Sequence, residues 1–185
     1  MARTYTLNLS ASSINKLADD FEAYRNDLPD KCRKLVTKLS LLGIRTAQQN
    51  AGKFGKYIVF SMGIRDGFQR GVRCKGVLVA TNNGIIHSEW LQKDGSVSTA
   101  DVSPLLMVEF GSGLRADNAR AREFGMGTGT FPGQTHAEDP GGWWYMDLDG
   151  KWHHSRGIEP SRPMFEAAKE MYNAIQRTAS DVFWS

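Results

Sequence analysis

Met107-Val108-Glu109-Phe110-Gly111-Ser112-Gly113 and Glu159-Pro160-Ser161-Arg162-Pro163-Met164-Phe165 are the two stretches on which the reading of the fold turns. The first reads as the end of an apolar strand, Leu105 to Phe110, and the second as the opening of the last helix. Pro163 suits a first helical turn, where its missing N–H has no intrahelical acceptor in any case. Ser161 is placed to cap nearby amides, and Phe165 to be the first core anchor. Glu109 lies between Val108 and Phe110, so strand alternation sets it on the face opposite both. Two readings stand for it: a solvent-facing strand residue, or a carboxylate meeting an arginine fork, with Arg162 of the same or a neighbouring subunit as partner.

Between the two stretches lies an excursion, Leu114 to Arg156, longer than the ~12–15 residues that structureless loops of compact domains usually reach. It holds Phe124, Phe131, Trp143, Trp144, Tyr145 and Trp152, an aromatic surface that is costly to leave in water. Trp143 to Met146, then Asp147 to Trp152 with Asp149-Gly150 as the turn, reads as a small hairpin. Gly125 to Gly133 reads as a flexible loop. Its Gly-Met-Gly-Thr-Gly-Thr run lacks the Gly-Lys-Ser/Thr ending of a phosphate-binding loop and the flanking strand and helix.

Toward the N-terminus, Thr4 to Ser10 alternates like a short strand, with Tyr5, Leu7 and Leu9 on one side. Ile14, Leu17, Ala18, Phe21 and Tyr24 then recur at helical spacing. Pro29 is expected to divide this segment into two helices, 12–27 and 29–51, the second burying Cys32, Leu35, Val36, Leu39, Leu42 and Ala47. Strands follow over Tyr57 to Gly63, Val72 to Thr81 and Gly84 to Leu91. Asn82-Asn83-Gly84 predicts a hairpin between the second and third of these, and Lys93-Asp94-Gly95-Ser96 another turn. Residues 163–183 return to helical spacing through Phe165, Ala168, Met171, Tyr172, Ile175, Ala179 and Val182. The order predicts an α+β fold, N-terminal helices and a C-terminal helix packed on one face of a small, largely antiparallel sheet. One domain over 1–185 is expected, with 113–157 an insertion in it.

At 185 residues and 41% apolar the chain is long enough to bury a core. The balance of 23 cationic against 20 anionic side chains is too even to argue for a nucleic-acid partner, and the basic run Lys31 to Lys38 reads as a solvated helix face. No window approaches the ~20 apolar residues of a membrane-spanning helix, and the first residues lack the apolar segment of a signal peptide. Cys32 and Cys74, isolated from each other, point to a reducing compartment and not to a disulfide framework. A soluble product made in a cytoplasm is the expectation.

His136, Glu138, Asp139, His153 and His154 are the candidates for a metal site or an acid–base pair. Their spacing argues against one, since adjacent histidines on a strand point apart. Asp19-Asp20 reads as a solvated pair on a polar helix face. The Gly-x-Ser-x-Gly nucleophile turn is absent. No catalytic residue, cofactor or metal is expected.

The strand end Val108-Glu109-Phe110-Gly111, the long excursion and the helix opening Arg162-Pro163-Met164-Phe165 together resemble tail-assembly proteins of the HK97 gene-product-10 type, small structural proteins of tailed bacteriophages. The likeness extends over most of the chain, with the Trp-rich hairpin resembling the longer-loop branch of the family. It departs at Asn50 to Lys56, where family members commonly carry an Ala-Pro and a Thr-Gly-x-Leu-Arg-like stretch. The resemblance implies a non-enzymatic virion protein of a phage or prophage, made in the host bacterial cytoplasm and placed at the head–tail junction or tail. It would act in tail completion or head–tail joining, its partners being copies of itself in a ring and neighbouring connector or tail proteins. No membrane and no sequence-specific nucleic acid are implied; contact with DNA in a lumen would be passive. Glu109, Phe110, Phe131, Trp143, Trp144, Tyr145, Trp152 and Arg162 are the expected assembly interface, and Ala at Trp143 or Trp144 is expected to spare the fold and weaken assembly. The alternatives are a metal-dependent hydrolase using the His136, Glu138, Asp139, His153 and His154 cluster, and a small DNA-binding factor.

Overall fold

The computed structural model describes residues 10–67, 73–125 and 139–184. The expected strand at Thr4 to Ser10 lies outside them but for Ser10. The first element, α1, is a single helix from Ala11 to Ala51, and Pro29 sits inside it. The expected division into two helices is therefore corrected. Proline deletes one backbone hydrogen bond, at a cost of about 3 kcal/mol, and good helix-forming sequence runs on either side. A Lys31–Asp27 pair spans Pro29 at 2.8 Å, and an Arg33–Asp30 pair follows it at 3.1 Å. Ser10 caps the start by accepting from the Ser13 amide.

A 3-10 segment, Gly52–Tyr57, leads into β1 (Ile58–Gly67), which pairs antiparallel with β2 (Arg73–Asn82). The predicted hairpin through Asn82-Asn83-Gly84 does not form. Those turn residues are bonded elsewhere: Asn83 N–H donates to the Tyr57 carbonyl at 2.7 Å, and the Asn82 amide reaches Ser103 Oγ and the Leu105 N–H. The turn instead separates two sheets. β3 (Ile86–Leu91) pairs with β4 (Val97–Val102) across the expected Lys93–Ser96 turn, and the second sheet has the order β4-β3-β5-β6, with β5 at Trp143–Met146 and β6 at Trp152–Ser155.

Leu105 to Phe110 is a third correction. It belongs to a helix, α2 (Pro104–Phe110), capped by the Ser103 hydroxyl, which accepts from the Leu106 N–H. The signal was legible as Ser followed by Pro, an N-cap and then a first-turn residue. The seven apolar-rich residues carried no period long enough to overrule the strand reading. The excursion also contains a short helix, α3 (Asn118–Glu123), before the hairpin of β5 and β6. The last helix, α4, covers Pro163–Phe183 as expected.

The core forms where the C-terminal half of α1, the β1–β2 hairpin, α2 and the start of α4 meet. Ala47, Ala51, Ile58, Phe60, Val108 and Ala167 are its buried members, joined by Ile44, Leu78, Leu105 and Met164. α1 and α4 run antiparallel, and small residues let them approach. Ser40, Gly43, Ala47 and Ala51 are all buried, and a Cβ on Gly43 would lie 2.6 Å from Met171 Sδ. On α4 the buried face is Pro163, Ala167, Ala174 and Val182. Phe165, Tyr172 and Ile175, expected inside, are exposed. The fold is α+β, with the strands divided between two antiparallel sheets and only the first packed on the helices.

Candidate functional site

The two opening stretches come together at the start of α4. Arg162 stands at its N-cap position in left-handed backbone (φ 52°, ψ 51°), the one non-glycine residue with positive φ among the described residues, and its own side chain caps nothing. The orphan amides of the first turn are met from another element. Glu109, near the end of α2 and only 8% exposed, accepts from Met164 N–H at 2.8 Å and from Phe165 N–H at 3.3 Å. A carboxylate at this position also meets the positive end of the helix dipole. Glu109 is thus neither a solvent-facing strand residue nor the partner of Arg162. It carries the capping role expected of Ser161, whose hydroxyl turns to the Val108 carbonyl instead.

The cationic partner of Glu109 is Arg120 of α3, 3.6 Å away, whose guanidinium also lies 4.3 Å from the centroid of the Phe165 ring. That ring is 40% exposed, so Phe165 is a platform for the arginine and not a core anchor. Arg162 pairs with Asp117 at 2.8 Å, and Asp117 in turn caps α3 through the Arg120 N–H. Asp117 and Arg120 were not picked out in the sequence, because their roles depend on residues some 45 positions away. Val108 closes the cluster, its carbonyl accepting from the amides of Ser161 and Arg162, each at 2.9 Å.

Next to it, Ser112 and Ile158 exchange backbone bonds, Ser112 N–H to Ile158 O at 2.8 Å and the reverse at 3.2 Å. Gly157 permits this approach: it has φ 90°, and a Cβ there would lie 1.8 Å from the Ser112 carbonyl oxygen. Gly113 plays the same part toward the hairpin, since a Cβ on it would lie 2.5 Å from the Trp143 ring. The aromatic hairpin is therefore braced against the α2 end by the Trp143 ring. The rest of it is open: Trp144 is 65% exposed, Trp152 56% and Tyr145 37%.

The register of β5 and β6 sets Trp144 opposite His154 and Tyr145 opposite His153. His154 packs at 4.7 Å on Trp144 and bonds the Gly141 carbonyl; His153 stacks at 5.3 Å on Tyr145 and bonds Asp147 at 2.6 Å. That bond, helped by amides of Lys151 and Asp149, holds the Asp147 carboxyl below its ordinary range. The histidines thus belong to separate local pairs, and no group of three or more metal-ligating side chains converges among the described residues. Phe131, His136 and Glu138, and the glycine run beyond Gly125, lie outside those residues.

An open cavity of about 820 Å³ lies below the Arg162–Asp117 pair, lined by Asn50, Arg115, Glu159 and Glu166 as well. It presents arginines and carboxylates without histidine or cysteine. Of the expected interface, Glu109 and Phe110 are buried, Arg162 is partly exposed, and Trp144, Tyr145 and Trp152 face outward. No helix among the described residues is long and apolar enough to cross a membrane. No protein-family model, curated protein or solved structure matches this chain.

Proposed function

We propose that this chain is a structural virion protein of a tailed bacteriophage or prophage, acting in tail completion or head–tail joining. Copies of it form a ring and contact neighbouring connector or tail proteins, and in this reading the chain performs no chemistry. The observation that carries the proposal is the aromatic hairpin. Trp144 and Trp152 stand more than half exposed on a strand pair that Trp143 and Gly113 brace against the core. Large aromatics held rigidly at a surface are typical anchors of protein interfaces, and exposed patches of this kind mark contact sites. Glu109 and Phe110 then serve by holding the hairpin base and the α4 start in one unit, not by touching the neighbour.

The test is electron microscopy of lysates from the encoding phage or prophage with the gene deleted. Filled heads beside detached or overlong tails are the expected outcome. Normal infectious particles would overturn the proposal. Complementation with Trp144→Ala should give the same defect.

A further inference from the structure

Each of the two sheets keeps one side open, and the strand register fixes which side chains share it. In the second sheet Ile86, Ser88 and Trp90 of β3 and Ser98, Ala100 and Val102 of β4 are half-buried. The residues alternating with them, His87, Glu89, Val97, Thr99 and Asp101, are exposed. On this open side Val97, Leu91, Met146 and Trp152 stand opposite one another in turn. They make one apolar row across all four strands, about 14 Å long at the usual strand spacing. Trp144 with His154 forms the next row to one side. Glu89 with Thr99, then His87 with Asp101, form the rows to the other. Along the strands this side therefore runs from aromatic to acidic, with Val97, Trp144 and Trp152 each more than half exposed. Asp101 meets His87 at 2.5 Å, and no lysine or arginine among the described residues pairs with Glu89.

The open side of the β1–β2 hairpin runs from apolar to basic. Its inner side gives Ile58, Phe60 and Leu78 to the core. Outside, Val59, Val79 and Val77 are each 40–44% exposed. Gly63 stands opposite Val77, and nothing lies within 4 Å of a Cβ built on it, which leaves room for a large ring. The next row sets Arg65 directly opposite Lys75, and Arg73 lies in the row beyond. Like charges opposed across a strand pair are unfavourable. This side carries those three cations and no carboxylate, so a carboxylate to relieve them has to come from elsewhere.

The two open sides match. Rows on one side of a sheet recur about every 7 Å along the strands, and on both sheets an apolar row adjoins the charged one. One aligned packing, with strands within about 30° and sheets about 10 Å apart, therefore sets apolar on apolar and acid on base together. Both sides are exposed in the single chain, so they do not meet within it. We infer that the open side of the second sheet in one copy docks on the open side of the β1–β2 hairpin in another. The Trp144–Trp152 end lies on Val77 and Val79, and Glu89 and Asp101 lie on Arg65 and Lys75. Two different patches meet, so the contact is heterologous, the kind from which rings are built. It names the surface that the exposed tryptophans meet in the proposed assembly, and rests on that reading.

The test is sedimentation velocity of the full chain with charge reversals at these exposed positions. Arg65→Glu with Lys75→Glu should weaken self-association at least tenfold, as should Glu89→Lys with Asp101→Lys, with melting temperatures unchanged. Mixing the two double variants should restore association to within a few-fold of the original, because each then offers the side that the other lacks. Combining all four substitutions in one chain should restore it likewise. Association indifferent to the reversals, or reversals that do not rescue each other, would overturn the docking. So would association lost on Trp152→Ala but untouched by Arg65→Glu with Lys75→Glu, which would put the tryptophans on another surface. A chain that stays monomeric to millimolar concentration would overturn it too. The deletion phenotype is read independently, so the virion reading stands or falls separately.

Discussion

Glu109 shows how one side chain can join two elements distant in sequence. α4 begins at a residue in left-handed backbone that offers no cap, and its first amides would be left without acceptors. The Glu109 carboxylate serves two of them from a buried position, with Arg120 balancing its charge. Removing it strands those amides and leaves Arg120 without its counter-ion, so Glu109→Ala is expected to cost about 2–4 kcal/mol. Glu109→Gln keeps an acceptor and should cost less. Thermal unfolding of both variants checks this, and equal melting temperatures for Glu109→Ala and the parent would refute the capping role. Gly157 makes a second residue-scale case. A methyl group there meets the Ser112 carbonyl oxygen at 1.8 Å, and positive φ adds strain, so Gly157→Ala should cost at least ~2 kcal/mol. Separation of the Trp143 contact would accompany it, seen as a red shift in tryptophan emission.

At the scale of elements, the excursion is an ordered device over much of its length: a short helix that delivers Arg120, and a hairpin whose turn is organised by Asp147. The Asp147 carboxylate accepts from the amides of Asp149 and Lys151 and from His153. Its pKa in the folded chain is lowered, so its contribution is present above the ordinary aspartate value of 3.8 and is lost as pH falls through the depressed value. The carboxyl-carbon NMR signal of Asp147 should therefore titrate with a midpoint below 3.8. A transition well above that value would contradict the arrangement, and Asp147→Asn should abolish it. The hairpin also separates two tryptophans that look equivalent in sequence. Trp143 leans on Gly113 and contributes to the fold, whereas Trp144 faces solvent.

For the molecule as a whole, stability is uneven. The core occupies one end, where α1, the first sheet, α2 and α4 converge, and the N-terminal part of α1 is exposed, residues 18–27 without exception. Amides in residues 11–29 of the isolated chain are expected to exchange with solvent much faster than those in residues 40–51. Uniform protection along α1 would contradict this uneven stability.

What the amino-acid sequence determined by itself is the local chemistry. The α+β composition, the last helix with Pro163 in its first turn, the Asp149-Gly150 hairpin and the Lys93–Ser96 turn all rest on contacts within a few residues, which propensity and spacing encode directly. Tertiary structure decided the rest. α1 continues through Pro29 because helix on both sides outweighs one lost bond. The Asn82-Asn83-Gly84 turn joins two sheets because its polar groups find Tyr57, Ser103 and Leu105 in place of a hairpin partner. Residues 104–110 became a helix, where a seven-residue apolar run has no decisive period of its own. Glu109 found Met164 and Phe165 instead of Arg162 because the burial of α2 against α4 aims it at the helix start, a direction that no local spacing records.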